Sequence, residues 1–268
     1  MEALEAASLP YRRPEFYAAL TDVDAPHTAA LITAMVYLHG PAGASSVLDI
    51  GCGTGAVLEE LAKHYPTAVG VDLLPGMVEV ASARRAMLDV RQGDMRNVRL
   101  RQMFDVVACV GNALAYMVSP EDTAAAFTTF AEHCPPGGLL LVQTLMETPE
   151  LGVVKTTPVF AGDRAAVATI TYNLDPVDGT LVMTRSWAFA GGETAVDVIR
   201  RRALTPDELV GFAISAGFRS IEPQPWPKHM TAFLREDQPC GIEQKGCDIA
   251  AGDRPTFRLP ESSPRERP

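Results

Sequence analysis

The sequence predicts an α/β fold, a doubly wound sheet with an antiparallel meander inserted after its fifth strand. Three observations carry this. Apolar runs of strand length alternate with helical patterns from residue 47 to 145, as expected of parallel strands buried on both faces. The first of these runs, Val47-Leu48-Asp49-Ile50, breaks into Gly51, Gly53 and Gly55 and then enters a helix. Between residues 151 and 203 the period changes to two, with turn signals between the runs.

In chain order, residues 1–40 form a helical lid or cover, whose apolar stretch 27–38 is suited to lie on the sheet. After the glycines come a helix over 56–65, the second strand Val69-Gly70-Val71-Asp72, and a helix over 75–85 opened by a proline that the first turn tolerates. Residues 90–95 supply a third strand end, 104–110 the fourth strand and 120–133 a helix. Pro135-Pro136-Gly137-Gly138 then turns into the fifth strand, 139–145. The meander reads as three runs, 165–172, 181–189 and 195–202, separated by Asp178-Gly179 and Gly191-Gly192. Thr205-Pro206-Asp207-Glu208 combines an N-cap, a proline and first-turn acids, and Gly217 closes the helix. Strands over 218–222 and 231–235 follow. Residues 41–235 thus form one ligand-binding domain with 151–203 as its insertion, while 236–268, rich in Pro, Gly and charge, reads as a disordered tail.

In such sheets ligands bind beyond the carboxyl ends of the strands, where Gly51, Asp72, Asp94 and Gly111 all fall. Glycine permits φ > 0 and close approach of backbone to a ligand, and the helix behind the loop offers free N–H groups. The steric need of a tight turn is the competing reading. The order here is G-x-G-x-G with Asp49 two residues ahead, not the G-x-G-x-x-G of dinucleotide sites. The segment resembles motif I of the class I S-adenosylmethionine (SAM) methyltransferases. That resemblance implies a Rossmann-like seven-stranded sheet and SAM as cofactor. Asp72 lies about twenty residues past the loop, where Rossmann-type folds place the acid that accepts ribose hydroxyls. By the same resemblance the loop of Gly51, Cys52, Gly53 and Gly55 cradles the carboxylate and ribose, and Asp49 ahead of it and Leu73 beside Asp72 also belong to the cofactor site. Asp94 accepts the adenine amine, the Met95 amide meets the ring, Met77 lies on its face, and the backbone of Val110 meets the methionine end.

Composition narrows the acceptor. The chain has 268 residues and a formal charge of −10, the wrong balance for tracking phosphates, so nucleic acid is disfavoured and a small molecule expected. No stretch reaches the length of a membrane span and the first residues lack a signal peptide's basic start, which reads as cytoplasmic with no membrane partner. The five cysteines form no C-x-x-C pair or Cys/His ligand spacing, so no metal is implied. Cys52, between two glycines, is explained by space rather than nucleophilicity.

On the acceptor side, Val110-Gly111-Asn112-Ala113-Leu114-Ala115-Tyr116-Met117 resembles the matching segment of glycine N-methyltransferases. Arg91-Gln92-Gly93-Asp94-Met95-Arg96 resembles that of the amino-sugar N-methyltransferases of antibiotic pathways. The resemblance implies that Asn112 and Tyr116 face the acceptor, with Tyr116 where relatives often carry histidine. A phenol, with a reference pKa of about 10, is a poor base near neutrality. An amine, which need only be bound neutral, is therefore favoured over hydroxyl or carbon. The implied activity is in-line methyl transfer to a small molecule of specialised metabolism. A non-methylating enzyme of the same fold, such as a cyclase, is the alternative, and a nicotinamide oxidoreductase is disfavoured by the glycine spacing.

Tyr11 and Tyr17 stand where related enzymes carry lid tyrosines, and Tyr17 is the third catalytic candidate, against the alternative of a packed helical aromatic. His133 is placed to meet a helix dipole, and His229 lies in a loop, either solvated or at the site's rim. Arg185 and Trp187 alternate on the meander and face either substrate or a second subunit; the meander itself either caps the substrate or forms a homodimer face.

Asp72→Ala and Asp94→Ala are each expected to weaken SAM binding while the fold survives, as calorimetry and circular dichroism would read. Unchanged affinity in both variants would remove those carboxylates from the site.

Overall fold

A computed structural model describes residues 8–84, 88–221 and 230–237. His229, the expected strand end at Glu222 and the tail beyond residue 237 lie outside the described residues.

The first half of the chain alternates as its pattern requires. It runs through α1 (Leu9–Arg12), α2 (Pro14–Thr21), a 3-10 turn (Asp22–Asp24), α3 (Ala25–His39), β1 (Ser46–Ile50), α4 (Ala56–Leu61), β2 (Thr67–Asp72), α5 (Pro75–Arg84), β3 (Asp89–Gln92) and β4 (Val106–Cys109). A second 3-10 turn (Ala113–Tyr116), α6 (Pro120–His133) and β5 (Leu139–Gln143) lead into β6 (Lys155–Ala161), β7 (Arg164–Leu174), β8 (Leu181–Phe189) and β9 (Thr194–Arg201). Then α7 (Pro206–Ser215), β10 (Phe218–Ser220) and β11 (Met230–Arg235) close the main sheet.

That sheet has seven strands in the order β10-β11-β5-β4-β1-β2-β3. β1 to β5 are parallel where they pair, and β11 runs antiparallel to both neighbours. Because successive strand residues point to opposite faces, alternate positions enter different cores. Leu48, Val107, Leu140 and Val142 join Phe127 and Phe130 of α6 and Leu209 of α7. Val47, Val106, Leu139 and Leu141 join Ile32, Met35 and Val36 of α3. Each fully buried phenylalanine of that first layer is worth roughly 1.5–3 kcal/mol of burial.

Helix caps follow the sequence closely. Ser119 accepts from Asp122 N (3.0 Å), and Thr205 and Glu208 form a reciprocal capping box of 3.2 and 2.8 Å. The fourth strand is shorter than its apolar run because Asp105 turns its carboxylate onto Ser45 N (2.8 Å) and Ser46 N (3.0 Å), while Gly111 and Asn112 adopt left-handed backbone (φ 67° and 62°). His133 lies in the last turn of α6, at the helix end where the sequence places it. It is buried, accepts Leu100 N at Nε2 (3.0 Å) and meets Thr129 O through Nδ1 (2.8 Å).

The meander is a separate four-stranded antiparallel sheet, β6-β7-β8-β9, one strand more than its period-two runs indicate. The additional strand, β6, is an edge carrying Pro158, a residue that edges accept because no ladder N–H is required there. The N-terminal segment divides between the two sheets. α3 packs on the main sheet, whereas Leu9 and Phe16 join Val159, Ala168 and Trp187 of the meander. Phe16 meets Trp187 and Phe189 edge-on at 5.7 and 5.4 Å.

Asp197 organises this junction. Fully buried, it accepts Leu9 N (2.6 Å) on one oxygen, and Trp187 Nε1 (2.8 Å) and Arg185 Nε (3.2 Å) on the other. Arg185 and Trp187 are thus held within their own chain. Removing one partner of a buried ion pair costs about 3–5 kcal/mol. Asp197→Ala is expected to destabilise by that order in denaturant titration, and to expose α1 to limited proteolysis before the main sheet is cut.

Candidate active site

The carboxyl ends of β1 to β4 open into a cleft of about 620 Å³, bordered on the far side by residues of α1, α2, β7, β8 and β9. A smaller adjoining hollow of about 260 Å³ reaches toward β1 and the end of β5.

The three loop glycines have left-handed φ of 81°, 54° and 77°, and each is required by a different neighbour. A Cβ at Gly51 would fall 2.6 Å from that of Ala113, and one at Gly53 would fall 2.9 Å from the Tyr17 ring. At Gly55 it would fall 2.9 Å from Ala81 of α5, and Gly55 does not border the cleft. Its place is in helix packing rather than in the cradle that the resemblance implies.

Asp72 fastens the loop. One oxygen accepts Gly53 N (2.8 Å), the other Leu74 N (3.0 Å), with Leu73 between them at the cleft wall. Burial raises the Asp72 pKa, and the N–H donors from Leu74, Gly53 and Leu73 pull it partly back. A carboxylate has about four lone-pair sites, so capacity remains for ligand hydroxyls.

Asp49 is different. It is buried, neither oxygen has a hydrogen-bond partner, and burial, followed by the nearby Asp72, pushes its pKa up to about 7. Asp49, Cys52 and Val110 line the smaller hollow, together with Gly51, Asn112 and Gln143. An orphaned buried carboxylate facing a cavity suits a cation, and the ammonium of an amino-acid moiety fits that requirement. Nearby, Gln143 braces the end of β4, accepting Gly111 N at its side chain (3.0 Å) and Asn112 N at its carbonyl (3.2 Å). Cys52 is buried; burial, then Asp49 and Asp72, push its thiol well up, and its sulfur would lie 2.9 Å from a Cβ at Gly70. It is a packed small residue.

Asp94, Met95 and Met77 border the main cleft as expected, but Asp94 already has a partner. Arg96 grips it through Nε (3.0 and 3.1 Å), Nη2 (2.5 Å) and its backbone N (2.9 Å), and reaches Asp122 at 3.1 Å. This hydrogen bonding holds the Asp94 carboxyl below its usual range. Asp94 therefore presents a fixed, ionised edge rather than a free carboxylate.

The acceptor-side candidates separate. Tyr17 lies over Gly53, and burial, then Asp72, raise its pKa, so it is a neutral cover for the loop. Tyr11 occupies the place beside Tyr116 instead: its hydroxyl donates to the Tyr116 oxygen, with ring centroids 6.0 Å apart. Arg201, absent from the sequence-derived candidates, completes this wall. Its Nη2 donates to the same oxygen (2.8 Å) and its guanidinium lies 4.7 Å from the Tyr116 ring centroid. The available signal was the run Arg200-Arg201-Arg202 at a strand end, where successive strand residues point to opposite faces and Arg201 therefore parts from Arg200. Asn112 borders both cavities. Among the described residues no group of three His, Cys, Asp or Glu could hold a metal, and no helix is long and apolar enough to cross a membrane.

Comparison with known proteins adds the following. Residues 47–138 match the family described as a methyltransferase domain. The dTDP-3-amino-3,4,6-trideoxy-alpha-D-glucopyranose N,N-dimethyltransferase of Streptomyces venezuelae is 38% identical over 100 residues, 37% of this chain and 42% of that protein. The dTDP-4-amino-2,3,4,6-tetradeoxy-D-glucose N,N-dimethyltransferase of Saccharopolyspora spinosa is 35% identical over 100 residues, 37% of this chain and 40% of that protein. The matched segment thus spans less than half the length of these curated relatives. Among solved structures, DesVI of Streptomyces venezuelae aligns with a TM-score of 0.73 at 27% identity, over 82% of this chain and 95% of its own. SAM-bound CalS10, an amino pentose methyltransferase from Micromonospora echinaspora, aligns with a TM-score of 0.67 at 26% identity, over 80% and 91%.

The environment of Asp49 generates a pH prediction. Its pKa is raised in the folded chain from an ordinary 3.8 to about 7, so the folded state holds this proton more tightly than the unfolded one. Stability of the ligand-free protein therefore falls as pH rises between those values, and stays reduced above them. A cationic ligand needs the ionised form. Asp49→Asn is expected to raise the ligand-free melting temperature near pH 8 and to weaken SAM binding about tenfold or more. In the unaltered chain SAM affinity should fall as pH drops below about 7. Thermal shift and calorimetry across pH check both.

Proposed function

We propose that this chain, whose residues 47–138 form a methyltransferase domain, transfers the methyl group of S-adenosylmethionine to an amine of a small molecule. The observation that carries the reading is the unpartnered, buried carboxylate of Asp49, set behind a glycine loop at the strand ends and open to a hollow that suits an amino-acid ammonium. When bound, SAM supplies a methyl already activated by its cationic sulfur.

The chain's residues bind and orient. Asp49, Gly51, Cys52 and Gly53, with the backbone at Val110, hold the amino-acid end, and Asp72 beside Leu73 takes the ribose. Met77, Met95 and the Asp94 edge enclose the adenine. Asn112 and Tyr116 face the acceptor from the end of β4, with Tyr11 behind Tyr116 and Tyr17 covering the loop. Holding nucleophile and methyl in line supplies much of the acceleration that such a site provides. A neutral amine attacks without prior loss of a proton, which accords with Tyr11 and Tyr17, whose phenols burial pushes up, away from use as bases. The curated relatives named above act on amino sugars carried on dTDP, and a small amine of that kind is the acceptor class proposed here.

Methyl-labelled SAM incubated with the protein and a fractionated cell extract is expected to deliver label to an amine-bearing small molecule, with S-adenosylhomocysteine formed in equal amount. Label confined to macromolecules, or to hydroxyl or carbon positions, would overturn the reading.

A further inference from the structure

The arginines around the cleft are committed to carboxylates, with one exception. Arg96 pairs with Asp94 and Asp122, Arg185 with Asp197 at 3.2 Å, Arg200 with Asp175 at 2.6 Å and with Asp178, and Arg202 with Glu208 at 3.0 Å. Arg201 has no carboxylate partner among the described residues. It borders the main cleft, its Nε is buried without a hydrogen bond, and the ionisable groups around it are the phenols of Tyr116, Tyr11 and Tyr172. In a chain carrying a formal charge of −10, a half-buried guanidinium left without an anion is an incomplete site.

The neighbouring hydroxyls complete the pattern. Tyr11 O–H and Arg201 Nη2 both donate to the Tyr116 oxygen, which fills its lone pairs and leaves its own proton to be donated onward. Donors thus gather in one part of the cleft. The cofactor's carboxylate is not the natural occupant. The reading above places the amino-acid end in the smaller hollow beside Asp49 and Gln143, which neither Arg201 nor Tyr116 borders.

We propose that Arg201, with Tyr116, forms an anion subsite for the methyl acceptor, taking a phosphoryl or carboxylate group on the acceptor. The proposal rests on the methyltransferase reading of the cleft. It makes Arg201 a specificity-determining residue.

The test uses the full chain saturated with S-adenosylhomocysteine and titrated calorimetrically with inorganic diphosphate or with acetate. Binding of either anion is expected in the unaltered protein, the preferred one identifying the acceptor's group as phosphoryl or carboxylate. Arg201→Met is expected to weaken that binding about tenfold or more, as loss of a charged hydrogen bond implies, with S-adenosylhomocysteine affinity changed by no more than about twofold. Arg201→Lys, which keeps the charge without the planar fork, is expected to lose less, and carries the comparison if Arg201→Met does not fold. Equal anion binding in variant and unaltered protein, or no saturable binding of either anion, would overturn the proposal. So would a tenfold loss of S-adenosylhomocysteine affinity in Arg201→Met, which would assign the guanidinium to the cofactor. Failure of the unaltered chain to bind S-adenosylhomocysteine would overturn the methyltransferase reading itself, and the subsite with it.

Discussion

The carboxylate of Asp72 holds the ligand edge together. By accepting Gly53 N and Leu74 N it ties the end of β2 to the loop after β1 and to the entry of α5. Bonds of this kind, from backbone N–H to an ionised oxygen, are roughly twice as strong as neutral ones. The seat of Tyr17 on Gly53 and the closeness of α5 to Gly55 both depend on where that loop is pinned. Burial, and after it this neighbouring carboxylate, raises the pKa of Asp49 next door. The loop is thus held by one carboxylate at the expense of another, and strongly perturbed acids of this sort gather where a ligand is expected to balance them.

Much of the main sheet was readable because its signals are local. Apolar runs bounded by glycine and proline mark β1, β2, β4 and β5, and Thr205 with Glu208 marks the start of α7. β6 escaped because Lys155-Thr156-Thr157-Pro158 shows little apolar alternation, and its edge position, which makes the proline harmless, is a tertiary fact.

The candidate site divides along the same line. Asp49, Asp72 and Asp94 stand at or just past the ends of three successive strands, so their placement could be read, although the grip of Arg96 on Asp94 could not be separated from a solvated turn. Tyr11 and Tyr17 lie six residues apart, and the break between α1 and α2 at Arg13 decides which of them meets Tyr116. Arg201 and Tyr116 are 85 residues apart and come from different sheets and turns. In sequence, three consecutive arginines read as a charged strand end; only strand alternation and the packing of the meander over the cleft turn the middle one inward.

The bond from Leu9 N to Asp197 spans 188 residues of chain. It gives the molecule an order of assembly. The anchor of α1 does not exist until β9 is in place, so α1 can dock on the meander only after that last strand has formed. Until then Leu9 and Phe16 lack the surface of Val159, Ala168 and Trp187 that buries them, so folding, rather than turnover, is the stage at which these apolar side chains are open to association.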